Sequence, residues 1–67
     1  MREWLIQKRK HAGLTQSDLA RMAGITQPSY NAIELGKSFP KLETAKRIAS
    51  ALDFRWTRFF EEEEETP

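Results

Sequence analysis

The chain is predicted to be all-α, a compact bundle of five helices, and three observations lead there. Apolar residues recur at helical spacing along most of its 67 residues. No stretch alternates apolar and polar side chains for long enough to make a strand, and no internal repeat is visible. Threonines and glycines stand where helices would start and stop.

The elements follow in order. Residues 2–12 make a first helix, with Leu5, Arg9 and Ala12 on one face, Trp4 and Lys8 beside them, and Gly13 ending it. Thr15 caps a second helix over 16–23, and Asp18 three residues on completes a short capping box. That helix buries Leu19, Ala20 and Ala23, and Gly24 sits where the chain needs positive φ to leave it. Thr26 caps a third helix over 27–35, with Pro28 in the first turn, where a missing N–H costs nothing. Gly36 stops it. A loop through Pro40 leads to a fourth helix over 42–52, whose Leu42, Ala45, Ile48, Ala49 and Leu52 form one stripe. Residues 56–61 add a short fifth helix carrying Trp56, Phe59 and Phe60.

Composition excludes several classes of function. A chain of this length holds one core, here assigned to residues 1–60. The absence of cysteine removes disulfides and thiolate metal sites, and the single His11 cannot hold zinc alone. His11 is expected to be exposed near a helix end and Met22 half-exposed. No apolar run approaches the roughly 20 residues of a membrane span. The opening MREWLIQKRK puts its basic cluster after the apolar stretch, the reverse of a signal peptide, so an intracellular, cytoplasmic location is expected. No nucleophile stands with a base and an orienting acid, and no glycine-rich phosphate loop is present. The chain therefore reads as neither an enzyme nor a cofactor or metal protein. Net charge is +1, yet Glu61–Glu65 supply five of the ten acids. All eleven Lys and Arg lie in residues 1–60 with the other five acids, so the domain carries +6 and residues 61–67 form an acidic, solvated tail. A basic domain suits a polyanionic partner.

The stretch LARMAGITQPSY stops one helix at Gly24 and starts another behind Thr26. From Gln16 to Leu35, Ala20, Gly24 and Ile33 fall at the spacing of a helix-turn-helix, in which a small residue lets two helices cross at about 90–120°. A plain bundle corner has the same spacing, so spacing alone leaves both readings open. The polar residues separate them. Gln27 projects from the start of the third helix, where glutamine can pair with adenine N6 and N7. Gln16 holds the matching place on the second helix, where an amide and a helix N-terminus can hold phosphate. Ser29, Asn31, Lys37, Ser38 and Lys41 continue a polar, basic rim.

Residues 9–37, RKHAGLTQSDLARMAGITQPSYNAIELGK, closely resemble the Xre/Cro-type helix-turn-helix of phage repressors and small bacterial regulators. The likeness continues through Pro40, IASAL in the fourth helix and DFRWTRFF at 53–60. It implies a five-helix, phage-repressor-type DNA-binding domain that binds a double-stranded operator, usually palindromic, as a homodimer, with no enzyme activity or cofactor. It assigns base contacts to Gln27, with Pro28, Asn31 and Ala32 on the same surface. It assigns phosphate contacts to Gln16, Lys37 and Lys41, and Ser29, Tyr30 and Ser38 are expected to join them. Arg9 and Glu34 are implied to form an interior ion pair tying the first helix to the third. Pro28 stands where relatives often carry a second polar base reader. Tyr30 stands where Ile or Val is common, and its hydroxyl is expected to reach water or a phosphate. Trp56, Phe59 and Phe60 should cap the core against Trp4, any ring left over forming a dimer seam. The function implied is a sequence-specific transcriptional regulator of repressor type, reading the major groove with helix 27–35. The alternative is an antitoxin-like module that binds a partner protein and its own promoter.

Overall fold

A computed structural model describes residues 1–61, and residues 62–67, most of the expected acidic tail, lie outside it. Its helices are α1 (Glu3–His11), α2 (Gln16–Ala23), α3 (Gln27–Leu35), α4 (Leu42–Leu52) and α5 (Arg58–Glu61). No strand occurs among the described residues.

The two central helices are delimited by their own side chains. Thr15 Oγ1 accepts from the Asp18 N–H at 3.0 Å while Asp18 Oδ2 accepts from the Thr15 N–H at 2.9 Å, closing the capping box. At the other end of α2 the Gly24 N–H donates to Arg21 O and the Ile25 N–H reaches back to Ala20 O at 2.9 Å. This paired closure requires the φ of +74° that Gly24 adopts. A Cβ at Gly24 would also come within 2.8 Å of the Arg47 guanidinium, which donates to the Ala23 carbonyl. Thr26 then accepts from the Ser29 N–H, and α3 begins two residues after the previous helix has closed. Caps of this kind contribute about 0.5–2 kcal/mol each, so the limits of both helices at the corner are specified by nearby residues.

Packing then sets the angle. α2 packs against both α3 and α4, and α1 lies across α3. Leu5, Leu19, Ala20, Ala23, Tyr30, Ile33, Ala45, Ile48, Leu52 and Phe59 form the core. The small Ala20 and Ala23 permit close approach, while Ile25 and Leu14 seal the rim. Four expectations are corrected here. Leu42 begins the α4 stripe but is 50% exposed, because it occupies the first position of α4, at the edge of the bundle. Ala12 is exposed as the C-cap of α1 instead of lying on its inner face. Arg2 is not the first helical residue but the N-cap of α1, and it is buried. The fifth helix is shorter than the predicted 56–61, with Trp56 in the turn before it.

The aromatic residues gather at the α5 end. Phe59 is fully buried, and Trp4 meets Phe59 and Phe54 edge-on at centroid distances of 5.3 and 5.2 Å. Trp56 is half-buried and packs on Phe60, which is 44% exposed and also meets Phe39.

Candidate nucleic-acid interface

α2 ends at the corner and α3 begins there, and the crossing brings Gln16, at the start of α2, beside the first turns of α3, within 2.9 Å of Asn31. Gln16, Gln27, Pro28 and Asn31 line one shallow cleft between them. Gln27, Pro28 and Ser29 are exposed, and Asn31 and Ala32 are half-buried one turn further along α3. Lys37, Ser38 and Lys41 are exposed on the loop that leaves α3. Burial therefore permits contact with a ligand at each of these positions.

Beneath the cleft lies an ionic cluster. Arg9 Nε donates to Glu34 Oε2 at 2.6 Å, joining α1 to α3, and Arg9 Nη1 donates to the Leu14 carbonyl at 3.0 Å. The Glu34 carboxylate is almost wholly buried. Burial by itself pushes its pKa up; hydrogen bonds from Arg9 and Gln16, the neighbouring Tyr30 hydroxyl and the Arg9 charge outweigh this and hold it below the usual carboxyl value. Glu34 is thus a charged acceptor fixed inside the domain.

Two side chains stand differently from expectation. Tyr30 is fully buried in the core, so the phosphate contact expected of it is ruled out in this arrangement. Its hydroxyl is buried beside Glu34 without a partner at hydrogen-bonding geometry, and burial raises the pKa of the phenol. The ring fills core volume beside Glu34. Gln16 is turned inward: its Nε2 donates to Asn31 Oδ1 and to Glu34 Oε1, both at 2.9 Å. An amide nitrogen has two hydrogens, so in this arrangement the Gln16 side chain has none left for a phosphate.

Sequence reasoning missed Arg2. Its backbone N–H donates to Glu34 O at 2.7 Å, and its guanidinium donates to the carbonyls of Ile33 and Ser38. The guanidinium also lies 5.1 Å from the centre of the Phe39 ring. A cation at the carbonyl end of α3 suits the helix dipole, and it ties down the loop that carries Lys37, Ser38 and Lys41. Nothing local to Arg2 signals this, since these partners lie more than thirty residues away.

Among the described residues no group of His, Cys, Asp and Glu could hold a metal ion, and no helix is long and apolar enough to cross a membrane. Comparison with known proteins agrees with the geometry. Residues 5–59 match the family described as helix-turn-helix. An uncharacterised HTH-type transcriptional regulator of Bacillus subtilis, YqaF, is 40% identical over 62 residues, covering 92% of this chain and 82% of that protein. Another HTH-type transcriptional regulator, from Methanothermobacter thermautotrophicus, is 44% identical over 52 residues, 78% of this chain and 75% of that protein. Antitoxin HigA1 of Mycobacterium tuberculosis is 45% identical over 51 residues, 76% of this chain but only 34% of that longer protein. With its five helices, its α2–α3 corner and these relatives, the chain belongs to the Xre-like helix-turn-helix family of DNA-binding transcriptional regulators.

Proposed function

We propose that the chain is a repressor-type regulator that lays α3 in the major groove of a palindromic operator, as a homodimer. The observation that carries this reading is the cleft shared by the first turns of α2 and α3, which exposes Gln27 at its tip beside Pro28. Gln27 reads an adenine edge, and Pro28 touches a thymine methyl or leaves room for it. Asn31 and Ala32 continue the reading surface. Ser29, Lys37, Ser38 and Lys41 meet phosphates, as do the Gln16 and Ser17 backbone N–H groups that the Thr15 cap leaves open, which replace the Gln16 side chain in that role.

One recognition helix covers too few base pairs for useful selectivity in a genome. Two copies would read half-sites about 34 Å apart. Phe60, Phe39 and half-buried Trp56 leave aromatic area on the surface to form the seam. In this reading residues 1–60 are the whole binding unit, so removing residues 62–67 leaves the salt dependence of binding unchanged.

Selection of bound sequences from a random duplex pool tests the proposal. A preferred palindrome bound by two subunits is expected; no preferred sequence, or one subunit per site at saturation, contradicts it. The similarity to an antitoxin supports a second reading, in which the same aromatic surface binds a partner protein. A stoichiometric complex masking Trp56 and Phe60 would favour it.

A further inference from the structure

Four side chains run in hydrogen-bonded sequence from the interior to the cleft. Arg9 donates to Glu34 Oε2, Glu34 Oε1 accepts from Gln16 Nε2, and that same nitrogen donates to Asn31 Oδ1. Each orientation forces the next. An ionised carboxylate only accepts, so the Gln16 amide must face it with nitrogen. The second hydrogen on that nitrogen must find an acceptor, so Asn31 turns its oxygen inward. Asn31 Nδ2 is left with both hydrogens and no partner among the described residues, on a side chain that lines the cleft. Reversing the two amides would set the Gln16 oxygen against the carboxylate, acceptor against acceptor, with the network buried from water at its Glu34 end.

We propose that Gln16 and Glu34 are specificity-determining positioning residues: they lock Asn31 with its N–H donors outward, so that this position selects a keto base, guanine or thymine, against an amino base. Guanine O6 and N7 and thymine O4 accept hydrogen bonds in the major groove; adenine accepts only at N7, beside an N6 donor that opposes outward N–H groups, and cytosine N4 donates. A freely turning asparagine pairs with adenine through both its oxygen and its nitrogen. With the oxygen turned inward to Gln16, away from a base edge in the groove, that bidentate mode is closed. The arrangement also gives Gln16 a role without any contact to DNA: it passes the fixed charge of Glu34 to the reading surface as a direction. This inference rests on the reading that α3 lies in the major groove.

The test is selection from a random duplex pool with the native protein, Asn31→Ala and Gln16→Ala. Asn31→Ala identifies the base pair that Asn31 reads, and the native protein prefers a keto base there by about tenfold, the worth of one good hydrogen bond. Gln16→Ala lets Asn31 turn and brings that preference to about twofold or less, while the pair read by Gln27 keeps its preference. The proposal is overturned if Gln16→Ala weakens every duplex alike and leaves the preference intact, or if the native protein prefers an amino base. It is equally overturned if Asn31→Ala changes no base pair. A native protein that selects no sequence at all overturns the major-groove reading itself. A second measurement is independent of DNA: in amide NMR spectra the Gln16 side-chain NH2 protons should exchange with water more slowly than those of Gln27. Equal exchange would mean the lock does not exist.

Discussion

The α2–α3 corner and the aromatic end of the bundle are held together by different forces. At the corner, beside the buried Leu19, Tyr30 and Ile33, direction is set by hydrogen bonds: two threonine caps, a glycine closure, and the line from Arg9 through Glu34 and Gln16 to Asn31. At the other end Trp4, Phe54 and Phe59 meet edge-on or tilted at centroid distances of 5.2 to 5.7 Å, with Arg58, Lys8 and Arg2 over their faces. A hydrogen bond contributes only about 1 kcal/mol net but fixes direction. A buried ring removes about 150–250 Å² from water and is far less particular about angle. Both ends contribute to stability, and the corner adds a fixed direction for its polar side chains.

The largest effects should come from breaking either end at its centre. Phe59→Ala should cost about 3–5 kcal/mol, which for so small a chain means unfolding, seen as lost helical circular dichroism. Phe60→Ala, on the exposed side of the same cluster, should cost about 1 kcal/mol or less. Glu34→Ala should cost about 3–5 kcal/mol as well, because it leaves Arg9 partly buried without its carboxylate. Equal stability of the Glu34→Ala and native proteins would show that the corner is not built on the ion pair.

Acid separates the two ends more gently. The Glu34 carboxyl lies below its ordinary value of 4.5 in the folded protein, and Asp18 is lowered too, by the Thr15 backbone and side chain and by Arg21. A carboxyl lowered by folding stabilises the fold fully above its unfolded value and loses that contribution as pH falls through the folded one. Denaturant midpoints should therefore hold from neutral pH down to about 5 and drop below 4.5. Glu34→Gln should flatten part of that drop, and an undiminished drop would assign it elsewhere. The smallest effect on stability is Tyr30→Phe. Removing a buried hydroxyl with no partner should leave stability unchanged or raise it by up to about 1 kcal/mol; a loss larger than that would reveal a working bond to Glu34.

These two ends also differ in how far they could be read from sequence. The limits of α2, α3 and α4 fall where the sequence predicts them. For α2 and α3 this is because Thr15, Thr26, Gly24 and Gly36 act within a few residues of themselves. The Arg9–Glu34 pair was available only through resemblance to a family, since no local pattern links residues 25 apart. Arg2, Gln16 and Tyr30 escape a local reading for one reason: what each touches is decided by packing between helices. Arg2 carries no signal until α3 ends beside it, and Gln16 looks free until Asn31 and Glu34 come within 2.9 Å. Periodicity assigned Leu42 to the core because it continues the stripe, but the stripe outruns the bundle.

The central claim is that the corner exists to present Gln27 to a single base pair. It is tested most directly by titrating native and Gln27→Ala proteins against the preferred operator and against a duplex altered at that pair. Gln27 is exposed, so the variant should fold as the native protein does. It should lose about 1–3 kcal/mol on the preferred operator and little on the altered one, making the two duplexes nearly equal. Equal losses on both would contradict the account, because the side chain at the tip of α3 would then add affinity without reading any base.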